Sequence, residues 1–136
     1  MGSFTYTLSR VASSGGMKKK ILIVDDDKEF LEELGEMLRL NEYDVVAVND
    51  SARALEAARE AKPDVVLVDL KMPQQSGVEV ACEMRFFSEF QDVPIIAMTA
   101  YFKDDYADLL RTYGIKHCLT KPFDTAELVS RIEEAL

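Results

Sequence analysis

The chain has 136 residues, of which 48% are hydrophobic and 30% charged, and a formal net charge of -9. That length forms one domain with a proper core, and its acidic balance excludes nucleic acid as a direct ligand of this domain, since DNA binding needs a cationic face. The longest apolar runs fall far short of the ~20 residues that span a bilayer. There is no signal-peptide pattern, and Tyr6 stands where N-myristoylation after Met1-Gly2 would want Ser or Thr.

Residues 1–16 have no period and end in Ser13-Ser14-Gly15-Gly16, a linker composition. They are set aside as a disordered leader or an appended extension, and the domain is placed at residues 17–136. From Lys20 the chain alternates strand and helix signals. Ile21–Val24 is a short buried strand. Phe30, Leu31, Leu34, Met37 and Leu38 then form an amphipathic helical stripe. Tyr43–Val48 is the second strand, and Ser51 is placed to cap a helix carrying Ala54, Leu55 and Ala58. Lys62-Pro63-Asp64 stops that helix ahead of the third strand, Val65–Val68. A loop at residues 73–77 leads to a helix over Val78–Phe87, followed by the fourth strand, Val93–Met98. A weaker helix over Asp104–Tyr113 ends at Gly114, a plausible C′ glycine. Ile115–Leu119 is the fifth strand, and Asp124 with Glu127 caps a last helix carrying Leu128, Val129, Ile132 and Leu136. Alternating strands and helices imply right-handed βαβ units, hence a five-stranded parallel α/β sheet with helices on both faces.

The strands end in chemistry. The first runs into Asp25-Asp26, the third into Asp69, the fourth into Thr99 and the fifth into Lys121-Pro122-Phe123. Ligands of an open parallel sheet sit beyond the carboxyl ends of its strands. Three carboxylates, a hydroxyl and an ammonium therefore meet at one edge, suited to a hard dication and a phosphoryl group. Asp69 is the candidate nucleophile toward phosphorus. Mg²⁺ suits Asp26, Asp69 and one backbone carbonyl, with Asp25 in an outer role. Capping of the next helix explains one aspartate of the Asp25-Asp26-Asp27 run and leaves the others. Thr99 can donate to a phosphoryl oxygen, with the small Ala100 leaving room. Lys121 is a point-charge phosphate ligand that a cis Lys121-Pro122 bond would aim over the sheet edge. Cys82 and Cys118 form no CxxC pair and cannot make a zinc site with the single His117, so free thiols in a reducing compartment, the cytoplasm, are expected.

The segments ILIVDDD, VVLVDLKMPQQSG, IIAMTA and LTKPF, in that order and over about residues 18–136, resemble the receiver domain of two-component response regulators. The resemblance implies a flavodoxin-like (βα)5 fold with strand order 2-1-3-4-5. It implies that Asp69 is the phosphorylated aspartate, and that Asp26, Asp69 and the backbone carbonyl of Lys71 bind Mg²⁺, with Asp25 acting through water. It casts Thr99 and Lys121 as the groups that bind the phosphoryl oxygens. The phosphoryl donor would be a sensor histidine kinase or phosphotransfer protein and the downstream partner an effector protein, and the family's homodimers form through the face made by the fourth helix, fifth strand and fifth helix. The domain would signal rather than act as an enzyme, catalysing only its own phosphorylation and slow dephosphorylation.

Three departures stand out. Cys118 occupies the place of the family's usual Tyr or Phe, three before Lys121, and predicts an altered output switch. Lys71 and Tyr101, each two residues past a site residue, predict a restricted attacking water and a long-lived phosphoryl state. Phe86, Phe87 and Phe90 predict either packing beneath the next loop or an exposed partner patch, and the run Tyr101–Tyr106 adds aromatic content near the fourth helix. A haloacid-dehalogenase-like phosphatase is set aside, because its Asp-x-Asp follows the first strand and this chain has no cap segment. The remaining alternative is a receiver-like module that binds partners without phosphorylation.

Overall fold

The computed structural model describes residues 6–8, 18–101 and 104–136. Its strands are β1 (Tyr6–Leu8), β2 (Lys20–Val24), β3 (Asp44–Val48), β4 (Val65–Asp69), β5 (Ile95–Thr99) and β6 (His117–Thr120). Its helices are α1 (Lys28–Leu40), α2 (Ala54–Ala61), α3 (Gly77–Arg85), α4 (Asp104–Thr112) and α5 (Thr125–Ala135). The sheet runs β1-β3-β2-β4-β5-β6. Strands β2 to β6 are parallel and, counted from Lys20, take the expected 2-1-3-4-5 order.

The sixth strand departs from the expectation. Tyr6–Leu8, inside the leader set aside above, pairs antiparallel with β3, with Tyr6 opposite Val48 and Leu8 opposite Val46. Three residues show no readable alternation, so nothing in the sequence marks them as a strand; their order comes from the free edge of β3. The rest of the leader, Met17, and the pair Phe102 and Lys103 lie outside the described residues.

Alternation along each strand feeds two cores. Leu22, Val24, Val46, Val48, Val66, Val68 and Ala97 face α2, α3 and α4, with Ala54, Ala57, Ala58, Val80, Ala81, Met84 and Leu110 against them. Ile21, Ile23, Val45, Val65, Leu67, Ile96, Met98 and Leu119 face α1 and α5, with Leu31, Leu34, Leu38, Leu128 and Ile132. Burial on both faces makes β2, β3, β4 and β5 continuous apolar runs, as parallel sheets require.

The helix ends follow local chemistry. Asp27 caps α1, its carboxylate accepting from the Phe30 N–H at 3.1 Å, and Asp124 caps α5 through the Glu127 N–H at 2.8 Å. The expected cap at Ser51 is displaced. Ser51 is buried in a short 3₁₀ turn, and Asp50 accepts from the Ala52 N–H instead. Helix α3 carries a reciprocal capping box between Ser76 and Glu79. Gly114 takes φ +69° after α4, as a C′ residue does.

The Phe cluster divides. Phe90 is buried, Phe87 lies half-buried beneath the Arg59 guanidinium at 4.3 Å, and Phe86 is exposed. At this pole of the sheet, opposite the acidic edge, the Arg85 guanidinium donates to the carbonyls of Tyr113, Phe90 and Val93 at 2.8, 2.6 and 2.8 Å.

Gly77 sets the distance between α3 and the end of β4. A Cβ built there would lie 2.2 Å from the Asp69 carbonyl oxygen and 2.8 Å from the Leu70 Cα, and the Gly77 N–H donates to the Leu70 carbonyl at 3.0 Å. Backbone on both sides cannot yield cheaply. Gly77→Ala is expected to destabilise the domain by about 2 kcal/mol or more, checked by urea denaturation beside Gly35→Ala, whose nearest neighbour at 3.4 Å is the flexible end of Arg39.

Candidate functional site

Strands β2, β4 and β5 and the segment after β6 deliver their terminal residues to one edge. Asp25 follows β2, its N–H donating to the Val48 carbonyl at 3.1 Å. Asp69 closes β4, with the next N–H, that of Leu70, bonded to the Met98 carbonyl at 2.8 Å. The Lys121 N–H donates to the Thr99 carbonyl at 2.7 Å. The sheet ladder therefore continues one residue past its formal ends and fixes the backbone from which each functional side chain projects.

Oxygens of Asp25, Asp26 and Asp69 lie within 4.8 Å of one another. Asp25 and Asp69 are buried, while Asp26 faces solvent. All three are hard anionic oxygen donors, the set that Mg²⁺ selects, and the exposed member leaves a wet side for the waters that this ion retains.

The ammonium of Lys121 balances these charges. Its Nζ stands 2.7 Å from Asp25 Oδ2 and 3.7 Å from Asp69 Oδ1. It also sits 4.1 Å from the centroid of the Phe30 ring. The Lys121-Pro122 bond is cis. Phe123, just after Pro122, packs against Phe30 in a T-shaped pair with centroids 6.0 Å apart.

One cation does not cancel three anions. Burial is the main reason that the Asp69 carboxyl rises to about 6, and the charge of Asp25 adds to it; Lys121 and the Lys71 N–H, which donates to Asp69, oppose the rise. The Asp25 carboxyl also rises, again chiefly through burial, against hydrogen bonds from Lys121 and the Asp27 N–H. The buried Asp25 and Asp69 concentrate negative charge out of water, which a dication on the exposed Asp26 side would relieve.

The other sequence candidates fall around this centre. Thr99 is buried at the end of β5, but its hydroxyl is engaged locally. It donates to the Tyr101 carbonyl at 3.0 Å and accepts from the Tyr101 N–H at 3.2 Å. Lys71 and Tyr101 are exposed on the rim. Cys118 lies half-buried in β6 on the α4 side, where burial pushes its thiol up.

Two site residues escaped the sequence reading. Phe30 was placed in the apolar stripe of α1, and only its aromatic character among aliphatic neighbours set it apart. Gly77 ends a loop in the sequence, and a Gly after a Pro-containing turn is too common to signal its contact with Asp69.

Residues 21–133 match the family described as the response regulator receiver domain. The DNA-binding response regulator MtrA of Mycobacterium tuberculosis (strain ATCC 25618 / H37Rv) is 38% identical over 122 residues, which is 88% of this chain and 51% of MtrA. The transcriptional regulatory protein PdtaR of the same strain is 32% identical over 125 residues, covering 91% of this chain and 60% of its own. The chain thus spans about half the length of the curated relatives it matches. Among solved structures, Vibrio cholerae chemotaxis protein CheY4 superposes with a TM-score of 0.85 at 27% identity, covering 88% of this chain and all of its own. Response regulator TrrA of Thermotoga maritima, in complex with Mg²⁺-BeF, superposes with a TM-score of 0.76 at 32% identity, covering 87% of this chain and 99% of its own. With its 2-1-3-4-5 sheet and acidic strand edge, the chain belongs to the response regulator receiver domain family, the signalling modules of phosphorylation-based two-component systems.

Proposed function

We propose that this receiver domain takes its phosphoryl group on Asp69, from a phosphohistidine of a sensor kinase or phosphotransfer protein. The reading rests on one observation above all: a buried carboxylate at the end of β4 shares a cluster with two further carboxylates and an ammonium 3.7 Å away. Receiver domains bind Mg²⁺ at an aspartate cluster and act between histidine kinases and downstream effectors.

In the transfer, an Asp69 carboxylate oxygen bonds to phosphorus as the P–N bond to the donor imidazole breaks, and the departing imidazole nitrogen takes up a proton. Lys121 meets the negative charge brought by the phosphoryl oxygens. Asp26, Asp69 and the Lys71 carbonyl would hold Mg²⁺, with Asp25 acting through water. The bound ion would screen the charge between nucleophile and phosphoryl group. The Thr99 hydroxyl donates to a phosphoryl oxygen only by giving up its bond to the Tyr101 carbonyl, so its turn carries the phosphorylation signal into the β5–α4 loop. Cys118 leaves less bulk on the same side than a ring would, altering the response of the α4, β6 and α5 face, where a homodimer or an effector could dock. Free Cys82 and Cys118 thiols fit a cytoplasmic setting.

Incubation with acetyl phosphate and Mg²⁺ should add one phosphoryl group by intact mass, and none to Asp69→Asn or with the metal chelated. No uptake by the folded wild-type protein would favour a phosphorylation-independent binding module instead.

In the metal-free protein the folded state holds a proton on Asp69 up to about pH 6, whereas the unfolded chain loses it near the ordinary value of 3.8. Folding is therefore favoured at low pH, and stability declines as pH rises through this window. At pH 7 without metal, Asp69→Asn should be more stable than wild type by on the order of 2 kcal/mol. That advantage should vanish near pH 4 and be offset by Mg²⁺, as thermal melts across pH 4–8 would record.

The exposed Lys71 side chain and Tyr101 ring on the rim crowd the approach of water to a phosphorylated Asp69. Lys71→Asn combined with Tyr101→Glu should shorten the phosphoryl half-life severalfold, followed by loss of the mass increment after removal of the donor. An unchanged half-life would refute a role for this pair.

A further inference from the structure

We infer that Phe30 is a positioning residue for Lys121, holding its ammonium against the Asp25–Asp69 side of the site. This inference rests on the phospho-acceptor reading above for its functional consequence, but the contact itself does not.

The ring lies in the first turn of α1, where the bond from the Phe30 N–H to Asp27 fixes the backbone. Phe123 packs against it in a T-shaped arrangement, with ring planes at 85°, and both rings lie against the α1–α5 core. Phe30 therefore has little freedom of its own. Its face stands 4.1 Å from Lys121 Nζ, well inside the ~6 Å range over which a ring quadrupole attracts a cation. The Lys121 side chain is 21% exposed, so the ammonium is partly stripped of water, where that attraction counts most.

The ring differs in kind from the ammonium's other neighbours. Asp25 accepts a hydrogen from it and Asp69 attracts it at 3.7 Å, and both are claimed by other charges once a cation or a phosphoryl group arrives. An aromatic face attracts the cation without occupying an N–H in a strong directed bond, so it leaves hydrogens for phosphoryl oxygens. It also closes the side on which a long, flexible lysine would swing into water. A leucine at this position would keep the apolar packing and lose both the attraction and the flat wall.

The contact is read directly by NMR on the metal-free protein. The Lys121 ε-methylene protons, assigned by their loss in Lys121→Arg, should be displaced upfield by the ring current in wild type and Phe30→Tyr, and return to ordinary lysine values in Phe30→Leu. The initial rate of acetyl phosphate uptake should fall roughly threefold in Phe30→Leu and be held in Phe30→Tyr. Phe30→Met serves as a second ring-free variant if the leucine protein melts early. Unshifted ε protons in wild type overturn the proposal, as do ring-free variants that match wild type in rate. A wild-type protein with displaced ε protons that takes no phosphoryl group overturns the phospho-acceptor reading and leaves the contact standing.

Discussion

Like charges brought together out of water are the constraint on which the site depends. Folding drives Asp25 and Asp69 into burial at adjacent strand ends, and the sheet ladder leaves neither the option of backing away. One lysine from the far side of the sheet answers them, bonded to Asp25 and only near Asp69. The result is a carboxylate whose proton is held to about pH 6 and whose neighbourhood is improved by any added positive charge. A cation that binds the folded cluster and not the unfolded chain would therefore stabilise the fold. Removing Lys121 alone would leave buried acids uncompensated, a loss of roughly 3–5 kcal/mol where an ion pair is fully buried and less at this partly open site.

The fold was legible because parallel sheets write themselves plainly. Runs such as Val65–Val68 are apolar on both faces, and the polar residue that ends each run marks the carboxyl edge. Helices with separate apolar stripes, such as α1 and α5, fall between them at lengths that allow little else. The same logic placed Asp25, Asp26, Asp69, Thr99 and Lys121 at one edge, because each stands at the carboxyl end of a strand or within two residues of it.

What stayed hidden depends on distance through space rather than along the chain. Gly77 carries no mark of the Asp69 carbonyl lying against it. Phe30 and Lys121 are far apart in sequence, and an aromatic residue in a helical stripe is explained well enough by packing. The turn of the Thr99 hydroxyl toward Tyr101 is a rotamer choice that composition cannot record. The capping exchange between Ser51 and Asp50 turned on a single 3₁₀ turn, and β1 exists only because β3 offers an edge. The phenylalanine cluster needed three separate answers, since burial, a guanidinium and open solvent each claim one ring.

The three carbonyls gathered by Arg85 bear on how the domain can move. They belong to the chain just past α4 and to the turn and lead-in before β5, so one side chain rivets the far end of α4 to the lead-in of the central sheet. The near end of α4 begins just after the Thr99–Tyr101 pair. A helix anchored at its far end in this way would answer any movement transmitted from Thr99 by tilting about the Arg85 contact rather than by sliding along the sheet. The outer face of α4 would then change its angle with little change in what lies beneath its fixed end.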